Sequence, residues 1–309
     1  MASRTELAAE RAVKPHVRSA KGTAPRVKVR NRRPVSATRG AERALLYALL
    51  AVATFTALFP VFWLLTGSLQ TPQELYRGTT IWPKSLQWGN FAKAWHDGNL
   101  STYLPNSLLY TSVSVAGILV VSSMAGYALA RIEFRGRGFV TFLILMVMIV
   151  PAPASFIAQY KLMIEFGLTN SRAGYILLLI TAGIPISTLI MRGFFTNLPK
   201  ELEEAAALDG CSALGTFWRI FLPLARPGLI AVAVIQALAA WNEYLLALVL
   251  FDDDSLMPVQ RGLTNFMSAE TPEQHILLAA TTISVVPIIV FYAFAQRHII
   301  KGIGSGAFK

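Results

Sequence analysis

The residue types that perform chemistry in enzymes are few in this chain of 309 residues, and they are scattered. Its four histidines, at positions 16, 96, 275 and 298, lie outside the strongly apolar segments. Its one cysteine, Cys211, cannot form an internal disulfide, and we interpret it as a small packing residue. Three consecutive carboxylates, at positions 252–254, point in different directions and predict an exposed acidic turn. The sequence therefore predicts no metal site and no catalytic site.

Residues 197–226 contain a different chemical pattern, which predicts a helical hairpin with a charged end. Gly210 can adopt a positive φ and end a first helix of about ten residues, and Ser212 can cap a second helix. We expect Pro223 and Pro227 to stop that second helix before the next apolar segment begins. Carboxylates cluster at the start of the first helix, near the positive end of its dipole: Glu201, Glu203 and Glu204.

A short rod of this kind fits a groove on a partner protein. Leu202, Ala205, Ala206 and Asp209 share one face by three- and four-residue spacing, so the rod combines small side chains with a charged flank. The alternative is a helix lying on the lipid surface. We favour it less, because the first helix is acidic and lipid-surface helices prefer basic faces.

Three further polar residues, Gln236, Asn242 and Glu243, interrupt an apolar segment. Gln236 and Glu243 are seven residues apart and would share one face of a continuous helix. Polar groups inside a membrane are costly and often functional. Contact with a passing solute, hydrogen bonds between helices and simple exposure at the membrane interface all remain open, and we favour the last two over the first.

The segments that must position these residues are apolar and long. The composition is 54% hydrophobic and only 15% charged, which is more apolar than a typical soluble domain. Several runs approach the roughly 20 residues that cross a bilayer core. The predicted fold class is therefore all-α, a polytopic membrane protein with six transmembrane helices at about 44–69, 106–130, 139–158, 174–195, 227–251 and 276–296.

The basic residues indicate how these helices are oriented. Of the 28 Lys and Arg residues, 22 lie in residues 1–43, 131–138, 192–226 and 297–309. The positive-inside rule places those segments in the cytoplasm, so both termini and the hairpin are predicted to be cytoplasmic in a cell-membrane protein. The net charge of +11 does not indicate binding to nucleic acid, because the sequence contains no nucleic-acid recognition module beside the basic residues. Residues 1–43 are basic, contain few large apolar residues and are expected to be disordered.

Several stretches resemble a known family. Glu204-Ala205-Ala206, Gly210, Ile220 and Leu222-Pro223 reproduce the spacing of the EAA loop of ATP-binding-cassette (ABC) importer permeases. GYALARIEFRGRG at 126–138, WNEYLLALV at 241–249 and QRHIIKGIGSGAFK at 296–309 resemble its carbohydrate-uptake branch, the maltose-type second permease subunit. The resemblance covers essentially residues 44–309. It implies a type I importer permease fold with a core at about 103–297.

This resemblance also implies partners. In the family the EAA helix docks on the ATP-hydrolysing subunit, which assigns that contact to Glu204, Ala205, Ala206, Asp209 and Gly210. The other expected partners are a second homologous permease, two ATP-binding-cassette subunits, an external solute-binding protein and the lipid bilayer. The chain has no G-x-x-x-x-G-K-[ST] phosphate loop. We therefore expect no enzymatic activity and no cofactor on this chain, with ATP and magnesium on the partner subunit.

The predicted function is that of a permease subunit in an ATP-driven importer for an oligosaccharide or glycoside. Gln236, Asn242 and Glu243 are then candidates for its substrate pathway. An ABC permease for a non-sugar solute remains open, because the EAA loop does not specify the substrate. A secondary transporter is less favoured: it would need a buried coupling carboxylate, and Glu243 is the only acidic residue inside a predicted span.

Overall fold

The computed structural model describes residues 37–78, 81–267 and 273–306, and throughout these ranges the regular structure is helical, without strands. The chain divides into two compact units, residues 1–56 and 57–309. Within the first unit the described residues, 37–56, form the start of the first helix. Most of the predicted basic segment at 1–43, and Lys309 at the other end, lie outside the described residues.

The long helices agree with the predicted spans in position. The helices are α1 Ala37–Ser68, α2 Pro72–Arg77, α3 Gly89–Asp97, α4 Leu100–Arg131, α5 Arg137–Ile149, α6 Ala152–Glu165, α7 Arg172–Thr196, α8 Glu201–Leu208, α9 Ala213–Thr216, α10 Leu222–Leu224, α11 Arg226–Asn242, α12 Leu245–Leu250, α13 Val259–Thr264 and α14 Gln274–Gly306. Within these ranges, α1, α4, α7 and α14 each contain one apolar stretch long enough to cross a membrane. Counting two bent helix pairs as single spans raises the number to as many as six.

The predicted third span, 139–158, is wrong as a single helix. α5 ends at Ile149, and α6 begins at Ala152 with its axis bent by 108°. Val150 and Pro151 are extended, with ψ of 121° and 129°. Proline disfavours helical geometry in the residue before it and provides no backbone N–H. Pro151 and Pro153 place both effects within one turn, so the helix breaks instead of bending.

α4 and α7 share the most extensive contact in the described chain, and α11 packs against both. The close approach follows a stripe of small residues on α4, at Ser122, Gly126 and Ala130. A methyl group added at Gly126 would lie 2.8 Å from Met191 Cβ and 2.9 Å from the Arg192 backbone nitrogen on α7. α4 and α7 therefore approach each other closely where α4 has a glycine.

Candidate functional site

The hairpin forms through local backbone chemistry that the sequence predicted. Gly210 has a φ of +75° and follows the C-cap of α8. The Cys211 N–H donates to Ala206 O at 2.9 Å and the Gly210 N–H to Ala207 O at 3.1 Å, which is the Schellman arrangement. Ser212 then caps α9, its Oγ accepting from the Gly215 N–H at 3.2 Å. The helix–turn–helix geometry is thus specified by residues 206–215 alone.

The residues that were predicted to share one face of α8 are divided between its exposed side and its buried side. Glu204, Ala205, Asp209 and Gly210 are exposed, whereas Ala206 is only 2% exposed and faces the protein's own interior. The sequence reasoning placed Ala205 and Ala206 together, but successive residues on a helix are separated by about 100°.

Leu208 was missed as a candidate, although it is 89% exposed at the end of α8. The signal was available, because Leu208 lies four residues after Glu204 and three after Ala205, on the outward side. A leucine in a helix is usually assigned to a core. The outward surface of α8 therefore combines carboxylates, one small residue and one large apolar side chain.

The second arm of the hairpin, residues 213–224, is fixed to the helix bundle by aromatic rings. The Tyr127 ring on α4 lies 5.1 Å from that of Phe217, 5.3 Å from that of Phe221 and 5.7 Å from that of Phe195 on α7. All four side chains are buried. Such ring pairs stabilise by about 0.5–1.5 kcal/mol each beyond their buried area. The hairpin is consequently packed onto α4 and α7.

The second helix ends at Leu224, before α11 begins, as expected, although it passes through Pro223. Residues Phe217–Phe221 form a π turn, in which the Leu222 N–H donates to Phe217 O, and helix α10 continues through Pro223 to Leu224. A π turn shifts the carbonyl groups that a following proline ring would otherwise meet. The sharp bend of 74° comes later, between Leu224 and Arg226.

Gln236 is buried where α11 meets α7. Its Nε2 donates to Ser187 Oγ at 2.8 Å and to Gly183 O at 3.3 Å. The amide thus forms hydrogen bonds between helices, which is one of the roles that the sequence left open. Asn242, at the end of α11, is exposed, and its Nδ2 donates to Leu238 O at 2.8 Å one turn earlier.

Glu243 does not share a helix face with Gln236, because the predicted span 227–251 is broken. α11 ends at Asn242, Glu243 is extended with a ψ of 129°, and α12 begins at Leu245. Glu243 Oε1 accepts the Leu246 N–H at 2.7 Å and Oε2 accepts the Tyr175 hydroxyl at 2.8 Å. The carboxylate therefore caps the N-terminus of α12 and compensates for helical hydrogen bonding that is lost at the break.

The acidic turn at residues 252–254 is exposed, as predicted. Asp254 accepts a hydrogen bond from the Tyr103 hydroxyl and another from Arg261 Nε at 2.7 Å. Two interactions hold the pKa of the Asp254 carboxyl below its usual value. The hydrogen bond from Tyr103 has the larger effect, and the hydrogen bond from Arg261 has the smaller one. Asn106 donates to the carbonyls of Ser255 and Met257. Side-chain contacts from α4 thereby hold this loop in place.

Comparison with known proteins identifies relatives of this arrangement. Residues 118–305 match the family described as binding-protein-dependent transport system inner membrane component. The arabinooligosaccharides transport system permease protein AraQ of Halalkalibacterium halodurans is 35% identical over 84% of this chain and 94% of its own length. The melibiose/raffinose/stachyose import permease protein MelC of Bacillus subtilis is 30% identical over 86% of this chain and 95% of its own length.

A solved structure shares the fold. A chain of a bacterial ABC transporter involved in the import of the acidic polysaccharide alginate superposes with a TM-score of 0.73 at 24% identity, covering 85% of this chain and 98% of that chain. The hairpin lies within the residues matched by the family, 118–305, as do α7 and α11. This multi-pass membrane protein therefore belongs to the family of binding-protein-dependent transport system inner membrane components.

Proposed function

We propose that the chain is one of two permease subunits of an ATP-driven importer for an oligosaccharide or glycoside. The observation that carries the proposal is its similarity, over most of both chains, to permeases named for arabinooligosaccharides and for melibiose, raffinose and stachyose. These solutes are uncharged and rich in hydroxyl groups. An importer for a non-sugar solute is the alternative, and none of the described side chains favours it.

The remaining subunits of the proposed importer follow from its family. They are a second homologous permease, two ATP-binding-cassette subunits that bind ATP and magnesium, and a solute-binding protein outside the cell. This chain supplies half of the translocation pathway. Its hairpin and both termini face the cytoplasm, in accordance with the excess of Lys and Arg in those segments.

The exposed side of α8 is the proposed contact with an ATP-binding-cassette subunit. Glu204 and Asp209 supply carboxylates for basic groups, while Ala205 and Gly210 allow the partner's backbone to come close. Leu208 supplies an apolar side chain that is 89% exposed before docking. Ala206 supports this surface from behind, because it is buried against the protein's own interior. Movement of the partner would thus reach α4 and α7 through the aromatic rings of the second arm.

For the substrate pathway we propose Asn242 and Glu243 at the break between α11 and α12, with Gln236 as an indirect contributor. Asn242 is exposed, and its Oδ1 can accept a hydroxyl hydrogen bond while Nδ2 binds Leu238 O. Glu243 is half-buried and holds the local helix ends in position. Broken helices form solute sites in other transporters.

The docking surface can be tested by substituting aspartate for Leu208, with Leu214→Asp as the matched control. Leu214 is also exposed and lies on α9 of the same hairpin. Complete burial of a leucine contributes about 1.5–3 kcal/mol, so Leu208→Asp should weaken binding of the ATP-binding-cassette subunit by roughly 10- to 100-fold. Co-purification of the subunits and ATP-dependent sugar uptake measure this loss. Equal losses in both variants, or none in either, would contradict the proposed contact.

Gly210 provides a second test of the same hairpin. Its positive φ strains a residue with a side chain by roughly 1–2 kcal/mol, whereas asparagine adopts this conformation more readily. No atom would obstruct an added methyl group there. Gly210→Leu should therefore reduce uptake and solute-stimulated ATP hydrolysis without preventing membrane insertion, and Gly210→Asn should retain more of both. Normal uptake by Gly210→Leu would refute the role of the turn.

A further inference from the structure

The last turn of α4 carries a buried arginine that the proposed function does not yet use. The Arg131 side chain is only 4% exposed. Buried guanidinium groups are rare unless they are paired, because transfer of a charge out of water is costly. Arg131 therefore requires an arrangement of partners that offsets its desolvation.

The partners of Arg131 come mainly from the end of α7. Nε donates to Phe195 O at 3.1 Å, and Nη2 donates to the same oxygen at 2.6 Å and also to Leu198 O. Carbonyl groups at a helix C-terminus lack intrahelical partners and carry the negative end of the dipole. The guanidinium thus joins the end of α4 to the end of α7 through backbone atoms.

Two further contacts connect Arg131 to both arms of the hairpin. Its Cζ lies 5.0 Å from the centre of the Phe221 ring, within cation–π distance. Its Nη1 lies 3.9 Å from Glu203 Oε2 on α8. Because Glu203 is partly exposed and this distance is long, we regard the ion pair as the weakest of these contacts.

Another contact reaches the hairpin from the same face of α4. Tyr127, one turn before Arg131, packs among the hairpin rings, and its hydroxyl donates to Ala213 O at 3.4 Å. Arg131 is thus the point where α4, α7, α8 and the second hairpin arm meet, beside a hydrophobic cluster that includes Phe221.

We propose that Arg131 is a positioning residue that fixes the hairpin to α4 and α7, so that displacement of the hairpin moves both helices together. This inference rests on the proposed coupling function of the hairpin. Only a planar group with several donors can contact Phe195 O, Leu198 O and the Phe221 ring at the same time. A lysine retains the charge but has one nitrogen, so it cannot reproduce this geometry.

The informative variant is therefore Arg131→Lys, with Arg135→Lys as the matched control. Both keep the positive charge of this loop and hence its orientation signal. Arg135 lies four residues later and is exposed. The complete importer, with its ATP-hydrolysing and solute-binding subunits, is reconstituted in vesicles, and solute uptake and ATP hydrolysis are measured per assembled complex.

We expect the amount of solute imported per ATP hydrolysed to fall on the order of tenfold in Arg131→Lys and to remain unchanged in Arg135→Lys. ATP hydrolysis itself should continue, because docking on α8 is retained. Substitution of a residue with a purely structural role would reduce the amount of assembled complex and leave the amount of solute imported per ATP hydrolysed unchanged. An unchanged ratio in Arg131→Lys would overturn the proposal.

A distance measurement separates failure of this inference from failure of the proposed function. Spin labels on cysteines introduced at the exposed positions 121 on α4 and 201 on α8, with Cys211 replaced by serine, report whether the hairpin is fixed to α4. The distribution should be narrow with Arg131 and clearly broader with Arg131→Lys, with or without substrate or ATP. An unchanged distribution would overturn the positioning role. Absence of ATP-dependent uptake in the unsubstituted importer would instead refute the proposed function.

Discussion

Replacement of Gly126 by alanine should push α4 and α7 apart. The added methyl group would lie 2.9 Å from the backbone nitrogen of Arg192 and 2.8 Å from Met191 Cβ. Ordinary contact begins at 3.4 Å, so the helices must separate locally by roughly 0.5 Å. A backbone atom cannot rotate away as the end of a side chain can. Insertion of an extra methyl group into a well-packed interface typically destabilises by about 1–3 kcal/mol.

The same substitution at Gly193 isolates this steric effect. Gly193 lies on α7, next to Arg192, and a methyl group there would meet no atom within 4 Å. Both substitutions replace a helical glycine by alanine and so share a propensity gain of up to about 1 kcal/mol. The difference between the two variants should therefore equal the packing cost, roughly 1–3 kcal/mol, with Gly126→Ala the less stable.

The assay is unfolding of the purified chain by SDS in lipid–detergent bicelles, followed by tryptophan fluorescence. The free energies of unfolding of the two variants are compared with each other and with the unsubstituted chain. If Gly126→Ala proved as stable as Gly193→Ala, to within about 0.5 kcal/mol, the close approach of α4 and α7 at this position would be refuted.

Three further predictions concern the polar groups. Gln236→Leu should lower the free energy of unfolding by about 0.5–2 kcal/mol in the same assay, because Ser187 Oγ and Gly183 O lose their donor; an unchanged value would exclude a stabilising role. Glu243→Gln leaves one acceptor oxygen for the Leu246 N–H and the Tyr175 hydroxyl, so uptake should change while assembly persists; collapse of the complex would show a structural role instead. The pKa of Asp254 is lowered by Tyr103 and then Arg261, so its stabilising effect is present above its unfolded pKa of about 3.9 and is lost as pH falls through the lower folded value. Hydrogen-exchange protection of residues 251–266 should accordingly fall in acid, and Asp254→Asn should lack this pH dependence; equal behaviour of the two chains would contradict the assignment.

Local signals predicted the hairpin better than they predicted the continuity of the spans. Gly210 and Ser212 act on their immediate neighbours, so their roles follow from residue type and spacing. The prolines did not indicate where a helix would break. The long helices α4, α7 and α14 each contain one proline and continue through it: Pro105, Pro185 and Pro287. Where the helix does break, near Pro151, a second proline follows two residues later.

The break at Glu243 has no such local cause, which is why the sequence could not predict it. Neither proline nor glycine occurs between Asn242 and Leu245. The extended backbone at Glu243 is stabilised by its own carboxylate, which accepts the Leu246 N–H, and by the Tyr175 hydroxyl, 68 residues earlier in the chain. Tyr175 is fully buried and contacts the Tyr110 ring at 4.9 Å. Only the packing of α7 beside α11 brings these groups together.

In the proposed importer, the hairpin would bind a partner and transmit its movement because its two arms are built differently. The first arm presents exposed side chains on α8, including Leu208, and is buried mainly through Ala206. The second arm buries Phe217 and Phe221 among rings of α4 and α7. Docking of the proposed partner would change exposed contacts on the first arm. The buried aromatic contacts of the second arm would resist deformation, since close-packed interiors transmit displacement and do not absorb it. A hairpin with two equally exposed arms would bind a partner but would bend at its base, and one with two equally buried arms would offer no surface to bind.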